Sequence, residues 1–206
     1  VTRDNILFAL IGILVGFIAG YLMQETMATR QPPRLVHGQQ AMAAPGAGGP
    51  GGPGQPTGMS PQAQAQAQAE EIAQLEAYLE TNPEDPRVAV LRLANLTYDT
   101  GDWPGCVKYY EKFLELEPGQ PDVFSDLGVC YRELGEPDKA IASFHKAQEI
   151  APDHWQSMFN EVVILAFDLQ DYDRAEQVLE ELRALQPDNA TVQSLADEVA
   201  RRQAAS

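Results

Sequence analysis

PDVFSDLGVCYRELGEPDKAIASFHKAQEIAPDH, residues 121–154, is the stretch on which the reading of this chain turns. Apolar and small residues recur at three- and four-residue steps from Phe124 through Leu127, Gly128 and Tyr131, and again from Ala140 through Phe144 to Ala147. That spacing is the period of one helix face, so the stretch predicts two amphipathic helices. Leu134-Gly135-Glu136 interrupts the pattern between them, and Pro152 closes the second.

Outward from this stretch the same pattern returns. Pro83, Pro118, Pro152 and Pro187 stand 35, 34 and 35 residues apart, and Thr100-Gly101-Asp102 and Leu169-Gln170-Asp171 repeat the central turn. The earlier unit carries Val90, Leu93, Ala94, Thr97, Cys106, Tyr110 and Phe113; the later one carries Phe159, Val162, Val163, Ala166, Ala175, Leu179 and Leu182. Small residues let the two helices of a pair touch, and large ones fill the space between pairs. Val163 takes a place where the other units have Ala94 and Gly128, which predicts a slightly spread third pair. A period of this length means stacked units, none able to bury its apolar face alone. Ser60-Pro61 supplies a cap for a lone leading helix over 62–81 whose face is Ile72, Leu75 and Leu79, and 189–204 reads as a capping helix. The count is eight helices after the tether and no strand.

With Phe124, Leu127, Gly128, Tyr131, Ala140, Phe144 and Pro152 so placed, the chain resembles the tetratricopeptide repeat family, whose signature is W-x2-L-G-x2-Y, then A-x3-F, then P. Phe124 stands where the family has Trp. The resemblance covers roughly residues 70 to 204. It implies an all-α helical-hairpin solenoid, a right-handed superhelix, over 62–206 with repeats at about 87–120, 121–154 and 156–189. It also implies a concave groove, lined by the first helices, that binds a peptide or helix. Carried over position by position, the groove is Leu91, Asn95 and Tyr98 in the first unit. The second contributes Ser125, Val129, Arg132 and Glu133, and the third Asn160, Ile164, Phe167 and Asp168. The family's carboxylate-gripping Lys/Asn/Arg set is absent, since Arg132 stands nearly alone. The implied partner is an apolar or aromatic segment with basic flanks, facing the acids Asp99, Glu133 and Asp168. Those acids also fit a plain solvated face.

Charge narrows the function classes further. The chain has 30 acidic and 14 basic side chains, and from Glu70 onward 28 acids face 11 bases for a net of −17. A nucleic-acid binder needs a basic face, and none is available. His37, His145 and His154 form no pair at metal-ligand spacing, no glycine loop opens a helix after a strand, and no nucleophile is placed beside a base. No cofactor, metal or catalytic residue is therefore expected, and the protein is not expected to be an enzyme. Cys106 and Cys130 fall at small inward-facing positions and read as buried free thiols acting as small apolar residues. A disulfide is the alternative if the domain lies outside the cytoplasm.

The first 61 residues differ in kind. Ile6 to Met23, ILFALIGILVGFIAGYLM, is 18 residues without a charge. As a helix it spans about 27 Å, enough for a bilayer, and is longer than the core of a cleavable signal. Residues 1–29 are therefore expected to be a single transmembrane anchor. Gly12, Gly16 and Gly20 line one face and suggest a homodimer through that helix, though glycine is common in such helices anyway. Residues 30–61 read as a flexible linker, with seven Pro and eight Gly between 31 and 61 and a reach of about 30 Å. Val at position 1 fits a bacterial alternative start codon. The whole reads as a single-pass protein of a bacterial inner membrane with a periplasmic interaction domain, an adaptor or assembly scaffold. The alternatives are an assembly chaperone of c-type cytochrome maturation, by likeness of architecture, and a passive oligomerising element.

Overall fold

The computed structural model describes residues 60–205. The apolar run, its Gly12, Gly16 and Gly20 row and the Pro/Gly tract lie outside the described residues, as does His37. Among the described residues no helix is long and apolar enough to cross a membrane.

Eight helices follow one another with no strand among the described residues. Helix α1 runs over Pro61–Glu80, and the hydroxyl of Ser60 accepts from the Ala63 amide at 3.3 Å, so the serine and the first-turn proline start it together. Three antiparallel pairs come next: α2 (Arg87–Thr100) with α3 (Trp103–Leu116), α4 (Pro121–Glu133) with α5 (Pro137–Ile150), and α6 (Trp155–Val163) with α7 (Tyr172–Leu185). Helix α8 (Ala190–Gln203) closes the array against α7. Each second helix also packs on the first helix of the next unit, which makes a continuous stack.

The turns inside the pairs follow one recipe. A residue in the left-handed region ends the first helix: Gly101 at φ 73°, Gly135 at φ 74° and Gln170 at φ 56°. Glycine takes this conformation without steric cost, whereas Gln170 is strained there. Asp102 and Asp171 then cap α3 and α7, each accepting a backbone N–H. Inside the pairs, Leu93, Ala94, Tyr110, Phe144, Val162 and Leu182 are fully buried. Each large side chain among them contributes about 1.5–3 kcal/mol of transfer free energy.

One finding corrects the sequence reading, and another adds to it. Cys106 on α3 and Cys130 on α4 are joined in a disulfide rather than standing as two thiols, with a Cα–Cα separation of 6.2 Å. Both sit at small positions where consecutive units nest, and that contact brings their backbones within bonding range. The second concerns Val163. The helix after it continues as a π turn, Ile164–Asp168, in which the Leu169 amide donates to the Ile164 carbonyl at 3.0 Å. The first helices start at 87, 121 and 155, always 34 apart, but the left-handed residues stand at 101, 135 and 170. The third unit thus holds one extra residue, and the π turn that continues α6 absorbs it.

Candidate functional site

Because α2, α4 and α6 lead successive units, residues one repeat apart come side by side at their last turns. Tyr98, Arg132, Phe167 and, from α8, Arg202 make such a row. Tyr98 stacks edge-on against Trp103 with ring centroids 5.8 Å apart. Burial, followed by the nearby carboxylates of Asp126, Glu133 and Asp99, pushes its phenol well above the ordinary value. The guanidinium of Arg202 lies 4.9 Å from the Phe167 ring centroid and also binds Glu198 Oε1 at 3.0 Å.

Arg132 is the cation in the middle of the row, and it is spoken for. It donates through Nε at 2.5 Å and Nη2 at 3.0 Å to the two oxygens of Asp168, while Glu133 lies 3.8 Å away. A guanidinium clamped in this two-pronged way, with its side chain 13% exposed, has little capacity left for a terminal carboxylate.

The positions carried over from the family divide in two. Leu91, Asn95, Tyr98, Arg132 and Phe167 are partly exposed, and Glu133 and Asp168 are exposed. Ser125, Val129, Asn160 and Ile164 are buried. In the third unit the extra residue taken up by the π turn contributes, since residues before that turn are offset from their carried-over counterparts by one helical step, about 100°. Asn95 is held firmly, because the Tyr110 hydroxyl lies 2.8 Å from its Oδ1 and 3.4 Å from Asp126 Oδ2. Burial, then the Asp126 charge, raises the Tyr110 phenol far above its usual range, so it stays a neutral donor.

Polar links between units lie outside the sequence reading. Glu161, 3% exposed, accepts from Gln148 Nε2 at 2.9 Å and meets His145 Nε2 at 2.8 Å. His154 caps α6, its Nδ1 accepting from the Ser157 amide at 3.3 Å. Its Nε2 therefore carries the proton and donates to Asp122 Oδ1 at 3.0 Å. In each pair a histidine meets an acid from a neighbouring unit, at 16 and 32 residues' separation. Neither distance is a helical period, so no local pattern announces it. Among the described residues no three His, Cys, Asp or Glu side chains gather as metal ligands.

Comparison with known proteins gives the same picture of the fold. Residues 121–154 match the tetratricopeptide repeat family. Anaphase-promoting complex subunit 3 of Dictyostelium discoideum is 31% identical over 64 residues, which are 31% of this chain and 7% of that protein. The chain thus corresponds to a small fraction of that relative's length. A tetratricopeptide repeat protein from Parabacteroides merdae superposes with a TM-score of 0.61 at 16% identity, over 68% of this chain and 56% of its own. The first repeat domain of Spaghetti (RPAP3), solved with the HSP90 peptide SRMEEVD, gives 0.52 at 16% identity, over 57% of this chain and 93% of its own. At such identities what is shared is the tetratricopeptide fold.

Proposed function

We propose that the helical array is a protein-interaction module in which an apolar or aromatic segment of a partner lies along the row of first helices, flanked by basic residues. The observation that carries this is the state of the row itself. Arg132 is neutralised by Asp168, so the surface offers Tyr98, Phe167 and Leu91 as anchors among the carboxylates Asp99, Glu133 and Asp168. A row of this kind favours apolar contacts and cationic neighbours over a terminal carboxylate. The peptide-bound Spaghetti domain supports the general mode, since the same fold there holds a peptide.

In this reading residues 6–23 tether the module to a membrane, with Gly12, Gly16 and Gly20 available for self-association. The Cys106–Cys130 disulfide supports an oxidising compartment, hence the extracytoplasmic side of a bacterial inner membrane. Tyr98→Ala combined with Phe167→Ala is expected to abolish partner capture while the helical circular dichroism persists. Photocrosslinking from position 98 or 167 in membranes, read by mass spectrometry, reports partner and compartment together. Discrete hetero-adducts support the reading; homodimers alone would replace it with a passive oligomerising role.

A further inference from the structure

Where the first turn of α2, the last turn of α3 and the first turn of α4 meet, the surface opens into a cleft of about 520 Å³. Apart from Leu91 it lies outside the positions carried over from the family. Its floor is apolar: Val88, Leu91, Phe113 and Val123. Phe113 and Val123 are 7% and 6% exposed, yet Val88 beside them is 80% exposed. Val88 carries the apolar lining out to the mouth, so a side chain entering the cleft covers it as well.

The rim decides what kind of side chain. Asp85, Glu117 and Asp122 stand around the floor, and Arg87 is the one cation among the lining residues. That cation is consumed: its Nη1 donates to Glu117 Oε1 at 2.6 Å and its Nη2 to Asp85 Oδ2 at 2.8 Å, while Asp122 accepts from His154 Nε2 through Oδ1 at 3.0 Å. The amino ends of α2 and α4 add about half a positive charge each. Three carboxylates against one guanidinium and two half charges still leave the cleft negative, within a domain of net −17. An acidic or carboxylate-terminated ligand is disfavoured; a cation beside an apolar group is favoured.

We infer that this cleft is the anchor subsite of the peptide-binding face, taking one bulky apolar side chain of the partner while a Lys or Arg within two residues of it reaches Glu117 or Asp122. The inference rests on the function proposed above and adds to it the place and the chemistry of the anchor. Such an anchor concentrates the binding energy in one desolvated pocket, and its charged rim sets specificity and salt dependence.

The test uses the full chain in detergent micelles, panned against a displayed library of random dodecapeptides. Selected peptides are then measured by fluorescence anisotropy on the native chain, on Val88→Gln, and on Tyr98→Ala with Phe167→Ala. The expected peptides carry a bulky apolar residue within two positions of Lys or Arg. Val88→Gln, which removes the apolar surface without adding charge to the rim, should weaken them by about tenfold or more with unchanged melting, since Val88 is 80% exposed. Replacing the peptide's basic residue by Glu should do the same to binding on the native chain. Peptides that respond to the double variant but not to Val88→Gln, or that lack a basic neighbour, would overturn the cleft and leave the groove standing. No selected peptide at all, or peptides indifferent to both variants, would overturn both.

Discussion

Replacing Gly128 by alanine puts the packing between α4 and α5 to a quantitative test. A methyl group there would lie 2.4 Å from Cε1 and 2.7 Å from Cδ1 of Phe144, far inside any carbon–carbon contact. Phe144 is fully buried, so its ring has nowhere to go without moving a helix. Backbone propensity alone favours alanine over glycine inside a helix by about 0.5–1 kcal/mol. Overpacking a tight interior costs about 1–3 kcal/mol, so the net expectation is a loss of up to about 2.5 kcal/mol. A second substitution reverses the sign. In a Phe144→Leu background the ring atoms facing residue 128 are gone, and Gly128→Ala should become neutral or stabilising by up to about 1 kcal/mol. Urea unfolding followed by circular dichroism gives the four stabilities of this cycle. If Gly128→Ala stabilises the otherwise native chain, the close approach of the two helices at that glycine is refuted.

Two more outcomes follow from the interior. Removing the disulfide by Cys106→Ala with Cys130→Ala opens a loop spanning 24 residues, for which chain entropy gives about 3.5 kcal/mol. The urea midpoint should fall accordingly, and a non-reduced digest should contain the 106–130 cross-linked fragment; a midpoint that ignores reductant would mean free thiols. The phenols of Tyr98, Tyr109, Tyr110 and Tyr131 are all raised above 10.0, chiefly by burial. The unfolded chain ionises its tyrosines near pH 10, so this share of stability is intact below about pH 10 and is lost as pH rises beyond it. Ultraviolet titration should show these phenols ionising together with loss of helix, and full ionisation near pH 10 with the helices intact would contradict it.

The repeat was legible in the sequence because packing dictates it. Gly128 and Ala140 have to be small for α4 and α5 to touch, and the prolines from Pro83 to Pro187 have to fall where one unit ends. Ser60-Pro61 announced the start of α1 for an equally local reason. The disulfide was not legible, since the interval between residues 106 and 130 says nothing of distance in space; only nesting of two units brings them together. The extra residue of the third unit was not legible, because Pro83 and Pro118 stand 35 apart just as Pro152 and Pro187 do, and nothing local points to Ile164–Asp168. The same limit applies to the candidate site. The family pattern gives the partly exposed Tyr98, Arg132 and Phe167. It does not reveal that Asp168 claims Arg132, nor that Val88 opens an acidic-rimmed cleft, because both depend on which helices meet.

The bond between Cys106 and Cys130 crosses from one unit to the next, and this changes how the domain yields to force. An array of independent hairpins pulled from its two ends gives way one hairpin at a time, releasing the full length of each. Here the 24-residue segment between the sulfurs stays shut, so the oxidised domain extends less than the reduced one by about 80 Å, at about 3.4 Å per residue. The oxidised domain therefore has a length limit under load that the reduced one lacks.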